Sequence, residues 1–277
     1  MSFDVASVKP SKVPRPPTFP LDTGNAVAPG GRFSAGFPLI TYILFAYKVQ
    51  ATTEQTRALP AQMPKWASTD FFQIEARADG NATKDQMRLM MQSLLVERFK
   101  LAVHFENSEV PVLALTLDRP GKLGPNLHPH SEGPPCADFK GFDPASRPEP
   151  PKPGDVFPAQ CDVSQLMYRD GKSRTGSRNT TPQLLARDIS NLGSMSGEVD
   201  KPVVDKTGLS EKLDYVLEWN GQMLDFTLPG AAPPPPSDTP GTTFLEAVRQ
   251  QLGLKLVPAR AEVRTIVIDH VEEPSEN

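Results

Sequence analysis

Residues 99–117 read FKLAVHFENSEVPVLALTL, and residues 252–270 read LGLKLVPARAEVRTIVIDH. At an offset of 153, Leu101 falls on Leu254, Val103 on Leu256 and Glu109-Val110 on Glu262-Val263, while Leu113 and Leu115 fall on Ile266 and Ile268. Self-similarity at a fixed spacing constrains architecture before any single string does, because each copy must form the same small unit. The reading is an α+β protein made of two tandem copies of a β-α-β-α-β-β unit, with helices packed on small antiparallel or mixed sheets.

The first copy spans 32–119. A short strand at Gly31–Ala35 leads to a helix from Pro38 to Val49, with proline at a first position where its missing N–H costs nothing. A loop carrying Pro60, Pro64 and Trp66 precedes a strand from Phe71 to Ala78. Thr83-Lys84-Asp85-Gln86 is a capping box. It opens a helix whose Met87, Met90, Met91, Leu94 and Leu95 recur at the helical period on one face. A hairpin closes the copy: Lys100–Phe105, a turn at Glu106-Asn107-Ser108, then Val110–Leu117.

The second copy, within 174–277, repeats the order. Thr181-Pro182 starts a helix through Leu192, a strand runs from Leu213 to Trp219, and Thr243-Phe244-Leu245-Glu246 is again a capping box. The helix behind it ends at Gly253, a usual left-handed residue beyond a helix. From capping box to helix end the copies take sixteen and nine residues. The difference is close to two helical turns, so the apolar face stays in phase. Lys255–Val257 and Thr265–Val271 then read as the second hairpin.

Residues 1–31 read as an N-terminal strand, Phe3–Val8, and a proline-rich arm; the strand pairs into one of the two sheets. The 31 prolines, about twice the usual share, crowd into 129–158 and 229–240. The linker 120–173 and an insertion at 221–241 therefore read as extended or partly disordered. A net charge of −4 without a basic stripe argues against a nucleic-acid partner. The longest apolar run, Phe37–Val49, is interrupted by Thr41, Tyr42, Tyr47 and Lys48. Roughly twenty apolar residues are needed to span a bilayer, so no transmembrane segment is expected. The opening MSFDVASVKPS has no signal-peptide pattern, although a mature secreted chain behind an added Met1 would read the same.

No string assembles a catalytic centre. Asp205-Lys206-Thr207-Gly208 carries the letters of the phosphorylated aspartate of cation-pumping ATPases, but Leu209 stands where those enzymes have Thr. Val-Val-Asp-x-x-Gly is also a good strand and turn, and that is the reading adopted. Gly193-Ser194-Met195-Ser196-Gly197 lacks the central serine of a nucleophile elbow and reads as a loop. His128-Pro129-His130 offers two imidazoles with no further ligand at a recognisable spacing. No metal or cofactor is expected. His104 and His270 read as half-exposed strand histidines. Trp66 and Trp219 stand in related places, either as packing or as anchors of a binding groove. Cys136 and Cys161 are either two thiols in a loop or a disulfide closing about 25 residues, worth about 3 kcal/mol.

Four strings point further: Phe3-Asp4-Val5-Ala6-Ser7-Val8-Lys9-Pro10-Ser11, Leu94 to Leu101, Pro202 to Leu209, and Val267 to Asn277. Together they resemble an uncharacterised domain-of-unknown-function family multiplied in soil acidobacteria. Some of its members accompany sensor-like proteins with an M56-type peptidase part. The resemblance implies an extracytoplasmic location, periplasmic or secreted, which favours the disulfide. It implies no activity, and so no catalytic residue. Ser210-Glu211 departs from the family, where a glycine is common two residues after the leucine. The copy pattern also looks like the short βαβ modules of secretins and TonB-dependent receptors, an analogy of fold alone.

The expectation is a non-catalytic binding or sensor module for a peptide, polymer or protein partner. It would bind through a sheet edge or the cleft between the copies, with Trp66, Asp205, Lys206 and Trp219 as candidate contacts. The alternatives are a hydrolase with a scattered site involving Asp205, Lys206 or His104, and a structural assembly domain of an envelope complex.

Overall fold

The computed structural model describes residues 1–22, 24–27, 29–49, 59–131, 133–137, 139, 156–169, 171–220 and 241–274. The expected insertion at 221–241 and the middle of the proline-rich linker lie outside the described residues, apart from Gly241. The protein is α+β, and its chain divides into two compact units. Unit 1 comprises 1–109, 139–150 and 262–277, and unit 2 comprises 110–138 and 151–261.

In unit 1 the central strand is β3, Phe71–Arg77. It pairs antiparallel with β1, Val5–Ser11, on one side and with β2, Arg32–Pro38, on the other. Period-two alternation puts Phe72, Ile74 and Ala76 on the buried face, with Val8 and Ala35 both opposite Ile74. That face is covered by α1, Leu39–Ala46, and α3, Lys84–Phe99. Between them lies α2, Trp66–Thr69, a single turn. The Tyr42 hydroxyl, with one proton to give, lies 2.9 and 2.7 Å from the carbonyl oxygens of Ala35 and Phe72 and accepts from the Phe37 N–H. Burial pushes this phenol's pKa far up, so it acts as a neutral pin between α1 and the sheet.

The capping box at Thr83 forms: its Oγ1 accepts from the Gln86 N–H and Gln86 Oε1 accepts from the Thr83 N–H. Lys84 and Arg88 on the first turns of α3 are buried and bonded to the N-terminal arm. Lys84 pairs with Asp22, and Arg88 donates to the carbonyls of Asp22 and Gly24 at 2.7 and 2.8 Å. These two cations fix the N-terminal arm onto the helix, which the helix's apolar periodicity alone does not reveal.

In unit 2 the central strand is β9, Leu213–Asn220, flanked by β5, Leu127–Pro129, and β7, Lys172–Thr180. Beyond β7 lies β6, Ser164–Arg169. Both β5 and β6 fall in the stretch read from sequence as an extended linker. The element order around β9 thus matches that around β3, with the buried Leu127 opposite Tyr215 as Val8 is opposite Ile74. Leu213, Tyr215, Leu217 and Trp219 face a core closed by α4, Pro182–Met195, and α5, Phe244–Ala247. Helix α4 runs through Gly193-Ser194-Met195, the string read as a loop. A π-type turn, Val248–Leu252, follows α5 and ends at left-handed Gly253, as α3 ends at left-handed Lys100. The N–H groups of Phe244 and Leu245 are held by the Glu198 carboxylate at 2.8 and 3.1 Å.

The two expected hairpins are not hairpins. Strand β4 runs unbroken over Ala102–Leu117 and β10 over Leu254–His270, and the two are neighbours in one sheet with β8, Val203–Asp205. The division between the units falls inside these strands, at 109/110 and 261/262. Glu106-Asn107-Ser108 contains neither glycine nor proline, and none of the three takes a positive φ. Nothing there forces the reversal that a tight hairpin turn requires.

In unit 1, Nδ1 of His104 on β4 lies 2.8 Å from the Asp269 carboxylate on β10. This hydrogen bond raises the His104 pKa above its usual value, with Glu106 adding to the effect. The favoured form is the protonated one. The stabilisation is therefore complete below the ordinary histidine pKa and disappears as pH rises through the raised one. Asp269→Asn is expected to move the His104 titration, followed by the NMR shifts of its ring protons, down toward that of an isolated histidine.

Candidate functional site

The alternation that buries one face of the unit 2 sheet turns another set of residues outward. Asn126, His128 and His130 come from β5 and its extension. Asp214, Val216 and Glu218 come from β9, and Arg174, Gly176 and Arg178 from β7. Of these, all but His130 and Gly176 line a cleft of 730 Å³, walled by Pro134, Val156 and Phe157. Gly176 is required there. A Cβ would meet the Phe157 ring at 3.1 Å and the Tyr215 carbonyl oxygen at 2.8 Å. Its absence lets Phe157 lie on the sheet, and the Arg174 guanidinium stacks over that ring at 4.6 Å.

Cys136 and Cys161 are joined by a disulfide, with Cα atoms 5.4 Å apart. It ties the wall segment 133–137 to the chain entering β6. The same two segments are also joined by the Ala137 N–H donating to the Ala159 carbonyl at 2.9 Å. Arg178, only 4% exposed, reaches between them and donates to the carbonyls of Pro134 and Ala159.

The charges in the cleft are unevenly matched. Arg174 pairs with Glu218 across the β7–β9 ladder at 3.4 Å. His130 Nδ1 lies 2.6 Å from Asp214 Oδ1, which also accepts from the Asn179 N–H at 2.8 Å. Arg178 has carbonyl partners but no carboxylate within ion-pair distance among the described residues. Its guanidinium is a buried positive charge with no counter-ion among the described residues.

The sequence candidates are placed as follows. Trp219 is 4% exposed and packs edge-on to Phe244 in the unit 2 core. Trp66 is half-buried in unit 1, stacked on Phe99 and edge-on to Phe72. Asp205 ends β8 and accepts from the N–H and hydroxyl of Thr207 at 3.0 and 2.7 Å and from Gln183, the bonding of a turn aspartate. Lys206 beside it is exposed. Neither Asp205 nor Lys206 lines the cleft, and His104 belongs to the other unit. The cleft residues Arg174, Arg178 and Asp214 were not singled out from sequence. The available signal was the alternation Asp214/Val216/Glu218 between the buried positions of β9.

Among the described residues no helix is long and apolar enough to cross a membrane. No curated protein and no solved structure matches the chain. A family model described as a protein of unknown function, DUF3738, matches residues 40–271, which is most of the 277-residue chain. The chain therefore belongs to the DUF3738 family.

Proposed function

We propose that this chain is a binding module whose unit 2 cleft takes an acidic peptide or polymer, with Arg174 and Arg178 reading its carboxylates. The observation that carries this is the buried Arg178 guanidinium, which has no carboxylate partner among the described residues, at a peptide-sized cleft. A buried cation gains most from a partner that restores charge balance, and a guanidinium matches a carboxylate in geometry. Phe157, Val156 and Pro134 supply apolar walls around these charges, the usual composition of a ligand site. Strand addition along β5 is disfavoured, because Pro129 ends it without an N–H to offer. Recognition there rests on side chains. The chain's net charge of −4 does not oppose this, since charges more than roughly 8 Å away are screened at physiological salt.

The finer parts of the proposal follow. The disulfide suits work outside the cytoplasm, and the matching strand order around β3 and β9 suits an internal duplication in which each copy contributes strand to both units. Binding would serve recognition or sensing of the captured ligand. The test uses a fluorescein-labelled glutamate oligomer and fluorescence anisotropy. Arg174→Ala is expected to weaken binding about tenfold or more, the worth of a charge-assisted hydrogen bond, and added salt is expected to weaken it further. Equal affinity for a lysine oligomer, or no effect of Arg174→Ala, would overturn the reading.

A hydrolase is favoured by one observation, the contact of His130 with Asp214, which lines the cleft. That pair has the geometry of an oriented general base. Among the described residues, however, no serine or threonine hydroxyl is bonded to His130, and that of Ser131 donates to the Gly133 carbonyl. The same oligomer recovered intact after long incubation supports binding. Its cleavage by the wild type but not by His130→Ala would establish the enzyme.

A further inference from the structure

The geometry points to a metal site that opens only when the disulfide is reduced, in which His130, Cys136 and Cys161 bind one soft divalent cation of the zinc class. This goes beyond the acidic-ligand reading and does not depend on it. A ring nitrogen of His130 and both sulfurs lie within 4.8 Å of one another, so one side-chain movement brings three ligand atoms around a single point. Two thiolates and one imidazole are a donor set that zinc prefers over harder cations, and three protein ligands leave a fourth position open.

The surroundings are those of a ligand histidine. Nδ1 is held by Asp214, itself fixed by the Asn179 N–H, and the backbone N–H of His130 donates to the Lys212 carbonyl at 2.7 Å. A carboxylate on one ring nitrogen sets the tautomer that presents the other to a metal and raises its basicity.

The thiols would also stay together after reduction. The Ala137–Ala159 hydrogen bond and the two carbonyl contacts of Arg178 join the same segments without the sulfurs. Cys136 is exposed, so an external thiol can reach the bond.

The disulfide and the metal exclude each other. Sulfurs are about 2 Å apart in any disulfide. Two ligands of a tetrahedral zinc with bonds of about 2.3 Å are roughly 3.7 Å apart. Reduction by an external dithiol supplies two electrons and two protons. The S–S bond breaks, two thiols form, and the reductant leaves as its own cyclic disulfide. Metal entry then releases one proton from each thiol. A small-molecule disulfide reverses the reduction: it takes two electrons from the two thiolates, leaves as two thiols, and the re-formed S–S bond expels the ion.

The experiment uses the full chain, reduced with a dithiol and desalted without oxygen, then titrated with Co²⁺ in place of zinc. The reduced protein is expected to take up one ion with an intense thiolate-to-cobalt absorption in the near ultraviolet, and the oxidised protein to show none. His130→Ala should weaken uptake at least tenfold and Asp214→Asn 10- to 100-fold, the usual effect of losing an outer partner. Each variant is first checked for wild-type circular dichroism in its oxidised form. A second readout needs no variant: Zn²⁺ should protect both thiols of the reduced wild type from iodoacetamide. Absorption in the oxidised protein, none in the reduced protein, unchanged uptake by His130→Ala, or unprotected thiols would each overturn the assignment.

Discussion

Phe99→Ala is expected to destabilise unit 1 by about 3–5 kcal/mol, the range for emptying a fully buried aromatic site. Phe99 is completely buried at the end of α3. Its ring meets Phe72 of the central strand edge-on at 5.3 Å and stacks on Trp66 at 6.4 Å. It therefore joins the helix, the sheet and the α2 turn, and neighbours on three elements cannot collapse together into the space it leaves. Val96, one turn earlier on α3, is 51% exposed. Val96→Ala should lie within about 0.5 kcal/mol of wild type. Chemical denaturation followed by tryptophan fluorescence measures both. A loss below about 1 kcal/mol for Phe99→Ala would mean that α3 does not pack on β3 as described.

Gly124→Ala is the second large effect, and it acts on backbone rather than on a cavity. The Gly124 N–H donates to the Leu252 carbonyl at 2.9 Å and the Asn126 N–H to the Gln251 carbonyl at 2.8 Å. The segment entering β5 thus lies directly against the turn that ends at Gly253. A Cβ on Gly124 would stand 2.5 Å from the Gly253 nitrogen and closer still to the Gln251 carbonyl oxygen. Backbone cannot yield as a flexible side-chain end can, so a cost of about 3 kcal/mol or more is expected, at the severe end of overpacking. Gly121 is the control: its φ is +70° but a Cβ there would meet nothing within 4 Å. Gly121→Ala should cost only the left-handed strain, about 1–2 kcal/mol. Thermal unfolding of the two variants ranks them, and equal losses would show that the close approach does not exist.

Local signals were read well from the chain. The capping boxes at Thr83 and Thr243 form as their spacing implies, because both partners of each box lie within one turn. The strand expected over Leu213–Trp219 forms as β9. What failed was the reading at Glu106-Asn107-Ser108 and in the corresponding stretch after Val257. Polar residues between two apolar runs suit a turn, but they suit equally the exposed middle of a long strand, and only a required positive φ separates the two. The short strands β5 and β6 were hidden for another reason. Proline-rich composition describes a stretch on average, whereas Leu127–Pro129 and Ser164–Arg169 are held in place by pairing with β9 and β7. The cleft was legible only in part. The outward positions of β9 follow from its alternation, but Phe157, Cys136 and Cys161 reach it through irregular chain whose path no periodicity reports. Trp66 and Trp219 drew notice from sequence as large aromatic residues, and each packs against phenylalanines.

The most direct measurement is an NMR map of amide shifts on adding the glutamate oligomer to the isotopically labelled protein. Binding as described here shifts residues of β5, β7 and β9 around Asn126, Arg174, Arg178 and Asp214, and spares the β1–β3 sheet. Shifts confined to unit 1, or no shifts at oligomer concentrations far above that of the protein, would contradict an acidic-ligand cleft in unit 2.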